Sequence, residues 1–288
     1  MPKSYALHIG LNQVDATHYN NWNGKLKHAE ADAFVMHEIT SNQSFDEQEL
    51  LLTKKATREN VLRGIIDLSV KAEKGDLVVI TYSGHGSFLP DLNGDEDNAL
   101  DETWCCYDGM VVDDELLFCW SRFRAGVRIF LVSDSCHSGD IAKGDDDAAW
   151  TAEQAGAKFL PIQKSLPIYK ANKAFYDKIA TDTPIIDPKT LVSSVKQLGG
   201  CNENSFSYEG EGNGMLTIAI KKVWDDGGFV GDYAAFFDAV QKNINLTLQQ
   251  PILLNIGADD ADFDALKPFS VVPIFSKTGC CIVKFIFF

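Results

Sequence analysis

Short apolar runs alternate along the chain with segments whose apolar positions recur three and four apart. Residues 5–10, 50–53, 77–83 and 129–132 read as strands, since unbroken apolar runs of this length fit strands covered on both faces. Between them, Leu26, Ala29, Ala33, Met36 and His37 fall on one face of a helix predicted over 25–40. Thr57 opens a second helix with Asn60 in its first turn, and Val61, Ile65, Leu68 and Ala72 follow at helical spacing up to Gly75. A third helix is predicted from about 113 to 123. The order βαβαβαβ predicts an α/β fold, a mostly parallel central sheet with helices on both faces.

The pattern lapses over 140–190, where Asp145, Asp146 and Asp147 precede scattered Lys, Pro and Ala. This stretch reads as a mobile linker with one short helix near 171–180. Regularity returns as a strand at 192–198, a loop at 199–214, helices at 215–224 and 233–244, and a strand at 251–256. The expected organisation is a single domain over 1–288, built from regions 1–143 and 191–288 joined by linker 144–190. The apolar tail 280–288 carries Lys284 and is expected to add an edge strand.

Two strand ends carry the candidate chemistry. The run 77–83 delivers His85 between Gly84 and Gly86, and the run 129–132 delivers Cys136 in a turn of small polar residues closed by Gly139. The carboxyl ends of parallel strands are where an open α/β sheet presents its site. The separation, 136 − 85 = 51 residues, leaves room for one crossover with its helix. A free thiol has a pKa of about 8.5, so an imidazole is needed to take its proton. Backbone N–H groups of Gly86 and Cys136 can aim at a developing oxyanion. Two plainer readings stand beside this one: Cys136 as an inert buried hydrophobe, and His85 as a turn residue. His137 is a rival base, disfavoured because neighbouring residues of an extended chain point to opposite sides. Comparison of His85→Ala with His137→Ala separates the two.

The stretches Tyr82-Ser83-Gly84-His85-Gly86-Ser87 and Asp134-Ser135-Cys136-His137-Ser138-Gly139 resemble the two catalytic signatures of metacaspases and their prokaryotic relatives. Caspases proper place a His about 50 residues before the Cys of a Gln-Ala-Cys signature, which is missing here. The resemblance spans about 3–145 and 190–270. It implies a caspase-like three-layer sandwich and a cysteine endopeptidase with His85 as base and Cys136 as nucleophile.

Charge refines that expectation. The chain has 41 acidic and 26 basic residues, a net charge of −15. Such a balance argues against nucleic-acid binding, which needs clustered Lys and Arg. Asp134 must lie close to the reacting centre, and the metacaspase resemblance adds Ser83 and Asp32 as pocket lining. A desolvated pair of carboxylates prefers a Lys or Arg side chain and repels an acidic one. Peptides and proteins with Lys or Arg before the scissile bond are therefore the expected partners. The helix around Asp32 departs from the family's Leu-x-Gly-Cys-x-Asn-Asp pattern except at Leu26 and Asp32, so Asp32 as an exposed helix carboxylate stays open. Since no arginine follows Arg128, self-processing in the linker would fall at Lys143, Lys158, Lys164, Lys170, Lys173, Lys178 or Lys189.

The acidic loop 91–102 places Asp91, Asn93, Asp95 and Glu102 at EF-hand-like spacing, but Glu96 stands where the tight turn needs Gly. Metacaspases carry a comparable loop, and many need calcium. The resemblance implies Asp101, Asp113 and Asp114 as Ca2+ ligands, with a solvated acidic surface as the alternative. A further family ligand position is Lys143 here, so Asp140 or Asp145 would have to substitute. The glycines at 210, 212 and 214 lack the following Gly and Lys of a phosphate cradle and read as a flexible loop. No organic cofactor is expected. Seven cysteines without framework spacing read as reduced, cytoplasmic thiols. With no run of 18 apolar residues, no membrane span is expected, and the resemblance implies a monomer. The competing readings are a catalytically silent caspase-like scaffold and a calcium-binding regulatory module.

Overall fold

A computed structural model describes residues 1–92, 94, 99–136, 151, 155–202 and 205–271. Six strands form the central sheet: β1 (Ser4–Gly10), β2 (Glu47–Leu52), β3 (Leu77–Ser83), β7 (Arg128–Asp134), β8 (Ser194–Gly199) and β9 (Ile252–Gly257). Their order is β2-β1-β3-β7-β8-β9, parallel throughout except for the antiparallel pair β8 and β9. The residues of β1 and β3 are all buried, and successive side chains go to opposite faces of the sheet. Tyr5, Leu7, Ile9, Val78, Ile80 and Ile129 join a core with α2 (Arg58–Lys71) and α3 (Asp113–Ser121). Ala6, Val79, Phe130 and Val132 join the opposite core with α1 (Ala29–Asn42), α6 (Met215–Trp224) and α7 (Tyr233–Lys242). The result is the expected three-layer α/β sandwich. Thr57 caps α2, its side chain accepting the Asn60 N–H at 3.2 Å.

Residues 194–257 continue the same sheet, because β8 pairs along β7 and β9 along β8. A second, antiparallel sheet of β4 (Gly86–Pro90), β5 (Leu100–Cys106) and β6 (Gly109–Val112) was not expected. It begins one residue after His85 and fixes the exit of the chain from the site.

A helix lies where one was expected near 171–180, but the mobile-linker expectation needs correction. Beyond residue 155 the chain packs rather than hangs free: residues 156–160 cross the strand ends, and α4 (Ile162–Ala171) and α5 (Lys173–Asp182) follow. Scattered Lys residues and Pro167 inside α4 hid the apolar face formed by Ile168, Tyr169 and Tyr176. Residues 137–150, with His137, Asp140, Lys143 and Asp145, lie outside the described residues, as do Asn93, Asp95, Glu96 and the tail 280–288.

Candidate active site

The parallel register of β3 and β7 pairs Ser83 with Asp134, so the histidine turn and the cysteine turn leave the sheet side by side at its carboxyl edge. His85 is held from several sides. The Tyr82 hydroxyl donates to its carbonyl at 2.8 Å, and the Cys105 N–H donates to the same oxygen at 2.9 Å. Its Nε2 lies 3.1 Å from the Gly24 carbonyl, and the Trp22 ring packs edge-on with centroids 4.8 Å apart. Gly84 is required beside it, since a Cβ there would strike the Tyr82 hydroxyl.

Cys136 is fully buried. Its Sγ accepts the Ser207 N–H at 2.6 Å, and burial, reinforced by the neighbouring Cys201 thiol, pushes its pKa well up. With the site covered, the sulfur is held as a neutral thiol.

The candidate oxyanion donors have a common partner. The Gly86 N–H and the Cys136 N–H each donate to the Lys158 carbonyl at 3.1 Å. The Lys158 side chain then enters the predicted acidic pocket. Its Nζ lies 2.7 Å from Asp32 Oδ2, 2.5 Å from Asp134 Oδ2 and 2.9 Å from Ser83 Oγ, at 0% side-chain exposure. Asp32, Ser83 and Asp134 are thus brought together around one ammonium group, and Asp32 is not an exposed helix carboxylate.

The remaining lone pairs are matched. Asp32 Oδ1 accepts the Gly214 N–H at 2.8 Å and Asn213 Nδ2 at 3.0 Å, while Ser83 Oγ donates to Oδ2 at 2.8 Å. Asp134 Oδ1 accepts the Ser207 hydroxyl, which Gln249 Nε2 approaches at 3.2 Å. Burial pushes Asp32 up, but the Lys158 ammonium and these donors outweigh it and hold the carboxyl low. Burial dominates at Asp134, where Lys158 offsets it only in part and Asp32 adds to the rise. Burial pushes the Lys158 pKa down, and the two carboxylates more than reverse this, so the lysine stays charged.

Ser207, Asn213 and Gly214 in the Gly-rich loop, and Gln249 in the turn before β9, escaped sequence reasoning, because neutral loop residues carry no charge signal. Gly214 had the clearer trace, as the end of the glycine-spaced loop. A Cβ at 214 would collide with Asp134, Lys158 and Asp32, and the loop therefore closes the pocket.

The candidate metal ligands stand apart from this pocket. Asp113 accepts the Glu102 N–H at 3.2 Å, and burial together with Asp101, Glu102 and Asp114 raises its pKa well above the carboxylate range. A cleft of about 580 Å³ reaches Asp113 and Asp114 past Trp104 and Trp120. Among the described residues, no group of three or more His, Cys, Asp or Glu gathers in a metal-holding arrangement. No helix among them is long and apolar enough to cross a membrane.

Comparison with known proteins agrees with the geometry. The family described as metacaspase, peptidase C14 domain, matches residues 6–143. A Metacaspase-1 of Pyricularia oryzae is 39% identical over 223 residues, covering 69% of this chain and 52% of the relative. A Metacaspase-1 of Coccidioides immitis is 37% identical over 152 residues, covering 48% of this chain and 31% of the relative. The chain therefore spans about half or less of these curated relatives. A crystal structure of a Geobacter sulfurreducens protein superposes with a TM-score of 0.86 at 37% identity, covering 94% of this chain and 100% of that one.

Proposed function

The chain belongs to the metacaspase family of C14 peptidases, and we propose that it is a cysteine endopeptidase cutting after lysine or arginine. The observation that carries this reading is Lys158, whose ammonium sits between Asp32 and Asp134 while its carbonyl sits on two N–H donors. That is the pose a substrate needs for its carbonyl to be attacked.

In this mechanism His85 takes the Cys136 proton, and the thiolate attacks the carbonyl carbon after the basic residue. The Gly86 and Cys136 N–H groups hold the oxyanion. The C–N bond breaks as His85 returns the proton to the leaving amine, and water then hydrolyses the thioester to a free carboxyl.

Self-processing follows from the same pose, and the Lys158–Phe159 bond is the proposed first cut. The occupied pocket would keep the fresh chain inactive until residues 156–160 withdraw. Mass spectrometry of the incubated chain tests this. Fragments ending at Lys158 are expected from the wild type and none from Cys136→Ala. Fragments ending only at Asp would refute the basic preference, and equal cutting by Cys136→Ala would refute the nucleophile.

Calcium stimulation is proposed on the crowding at Asp113, since a cation lowers the cost of adjacent carboxylates. No catalytic step passes through it. Calorimetry on Cys136→Ala should show calcium binding that Asp113→Asn weakens, and identical isotherms would discount the site. A monomer in a reducing, cytoplasmic setting, acting on protein substrates, completes the proposal.

A further inference from the structure

We infer that the site also selects the residue after the scissile bond, favouring an aromatic side chain in a pocket walled by Phe88 and Phe206. The inference rests on the peptidase reading above and concerns the opposite side of the bond from the acidic pocket.

Residues 156–160 are held in register on both sides of the Lys158 carbonyl. Upstream, the Lys158 N–H donates to Ser207 O at 2.8 Å and the Glu209 N–H donates to Gly156 O at 3.0 Å. These bonds flank the antiparallel bridge between Ala157 and Tyr208. Downstream, Phe159 forms a parallel bridge with Gly86, the Leu160 N–H donates to Gly86 O at 2.8 Å, and Ser87 Oγ donates to Leu160 O at 2.9 Å. The backbone is therefore gripped before and after the bond that the mechanism breaks. A substrate making the same backbone contacts places its next side chain where Phe159 lies.

That position is apolar. Phe159 is fully buried in a cluster with Phe88, Phe206, Cys136 and Cys201, its ring centroid 5.4 Å from that of Phe206. Phe88 lies on β4 and Phe206 on the loop before α6, so both walls belong to the body of the domain and stay when residues 156–160 leave. A tilted ring pair at this separation is an attractive aromatic geometry. A carboxylate there would lose its water without gaining a partner. Leu160 enters a different cluster, with Val14, Tyr19 and Leu89. Part of that wall comes from α4 and α5, which follow the cut, so the inference stops at the first residue after the bond.

The test uses internally quenched peptides of the sequence Gly-Ala-Lys-X-Leu-Pro, with Phe, Gly or Asp at X, cleaved by the 288-residue chain after self-processing. The expected kcat/KM for Phe exceeds that for Gly or Asp by at least about tenfold, the scale on which hydrophobic pockets discriminate. Phe88→Ala should shrink this ratio while the preference for Lys over Asp before the bond persists. If Phe88→Ala does not fold, the wild-type ratio alone decides. Equal rates at X with a retained Lys preference would overturn the aromatic pocket and leave the peptidase reading intact. No cleavage of any peptide would overturn both.

Discussion

Deleting the Lys158 ammonium would leave Asp32 and Asp134 facing each other out of water. Breaking a buried pair by removing one partner costs about 3–5 kcal/mol. Lys158→Ala is therefore expected to release residues 156–160, lower the melting temperature by at least about 5 °C, and give no fragment ending at 158. Hydrolysis of an added Lys peptide should begin without the lag that a first self-cut imposes on the wild type. Melting curves and progress curves measure both effects, and unchanged traces would mean that the ammonium does not hold the segment in place. Asp134 was legible from its place two residues before Cys136, whereas Asp32 and Ser83 were legible only through the resemblance to metacaspases. Lys158 was legible only as one of seven linker lysines. Nothing local separates a lysine bound for a buried pocket from a solvated one. Its partners come from three other parts of the chain.

The inner strands β1, β3 and β7 alternate between two cores, and this is why strands such as β3 appear in the sequence as apolar runs. The second sheet was missed for the opposite reason. β4 is short and ends in Pro90, and β5 mixes Asp101, Glu102 and Thr103 with Trp104 and the cysteine pair. Its signal is diluted by the acidic loop before it. One strand carries a titration with a stability consequence. His8 on β1 lies 3.0 Å from Thr81 Oγ1 and 2.9 Å from Thr40 Oγ1, and burial, aided by His37, pushes its pKa down to about 3. The unfolded chain binds a proton there near pH 6.5 and the folded chain does not. Its contribution is thus complete above pH 6.5 and is lost as pH falls toward 3, by about 1.4 kcal/mol per unit. Urea unfolding between pH 4 and 6.5 should show this slope, reduced by His8→Gln. A slope unaltered by the substitution would place the acid sensitivity elsewhere.

Across the whole molecule, the parallel sheet sets the two turns side by side, the antiparallel β8–β9 pair completes the sheet, and the loop ending at Gly214 closes the acidic pocket. The α/β class, the order of the first elements and the placement of the His85 and Cys136 turns at one sheet edge followed from sequence, since they depend on local periodicity and on strand ends. The closed state did not, because it depends on a distant segment crossing the site. The most direct test is covalent capture: the 288-residue chain, with calcium, is exposed to acyloxymethyl ketone peptides ending in Lys or in Asp, and the labelled cysteine is located by mass spectrometry. The account predicts alkylation of Cys136 by the Lys reagent, with little by the Asp reagent and none in His85→Ala. Preferential capture by the Asp reagent, or labelling confined to another cysteine, would contradict it.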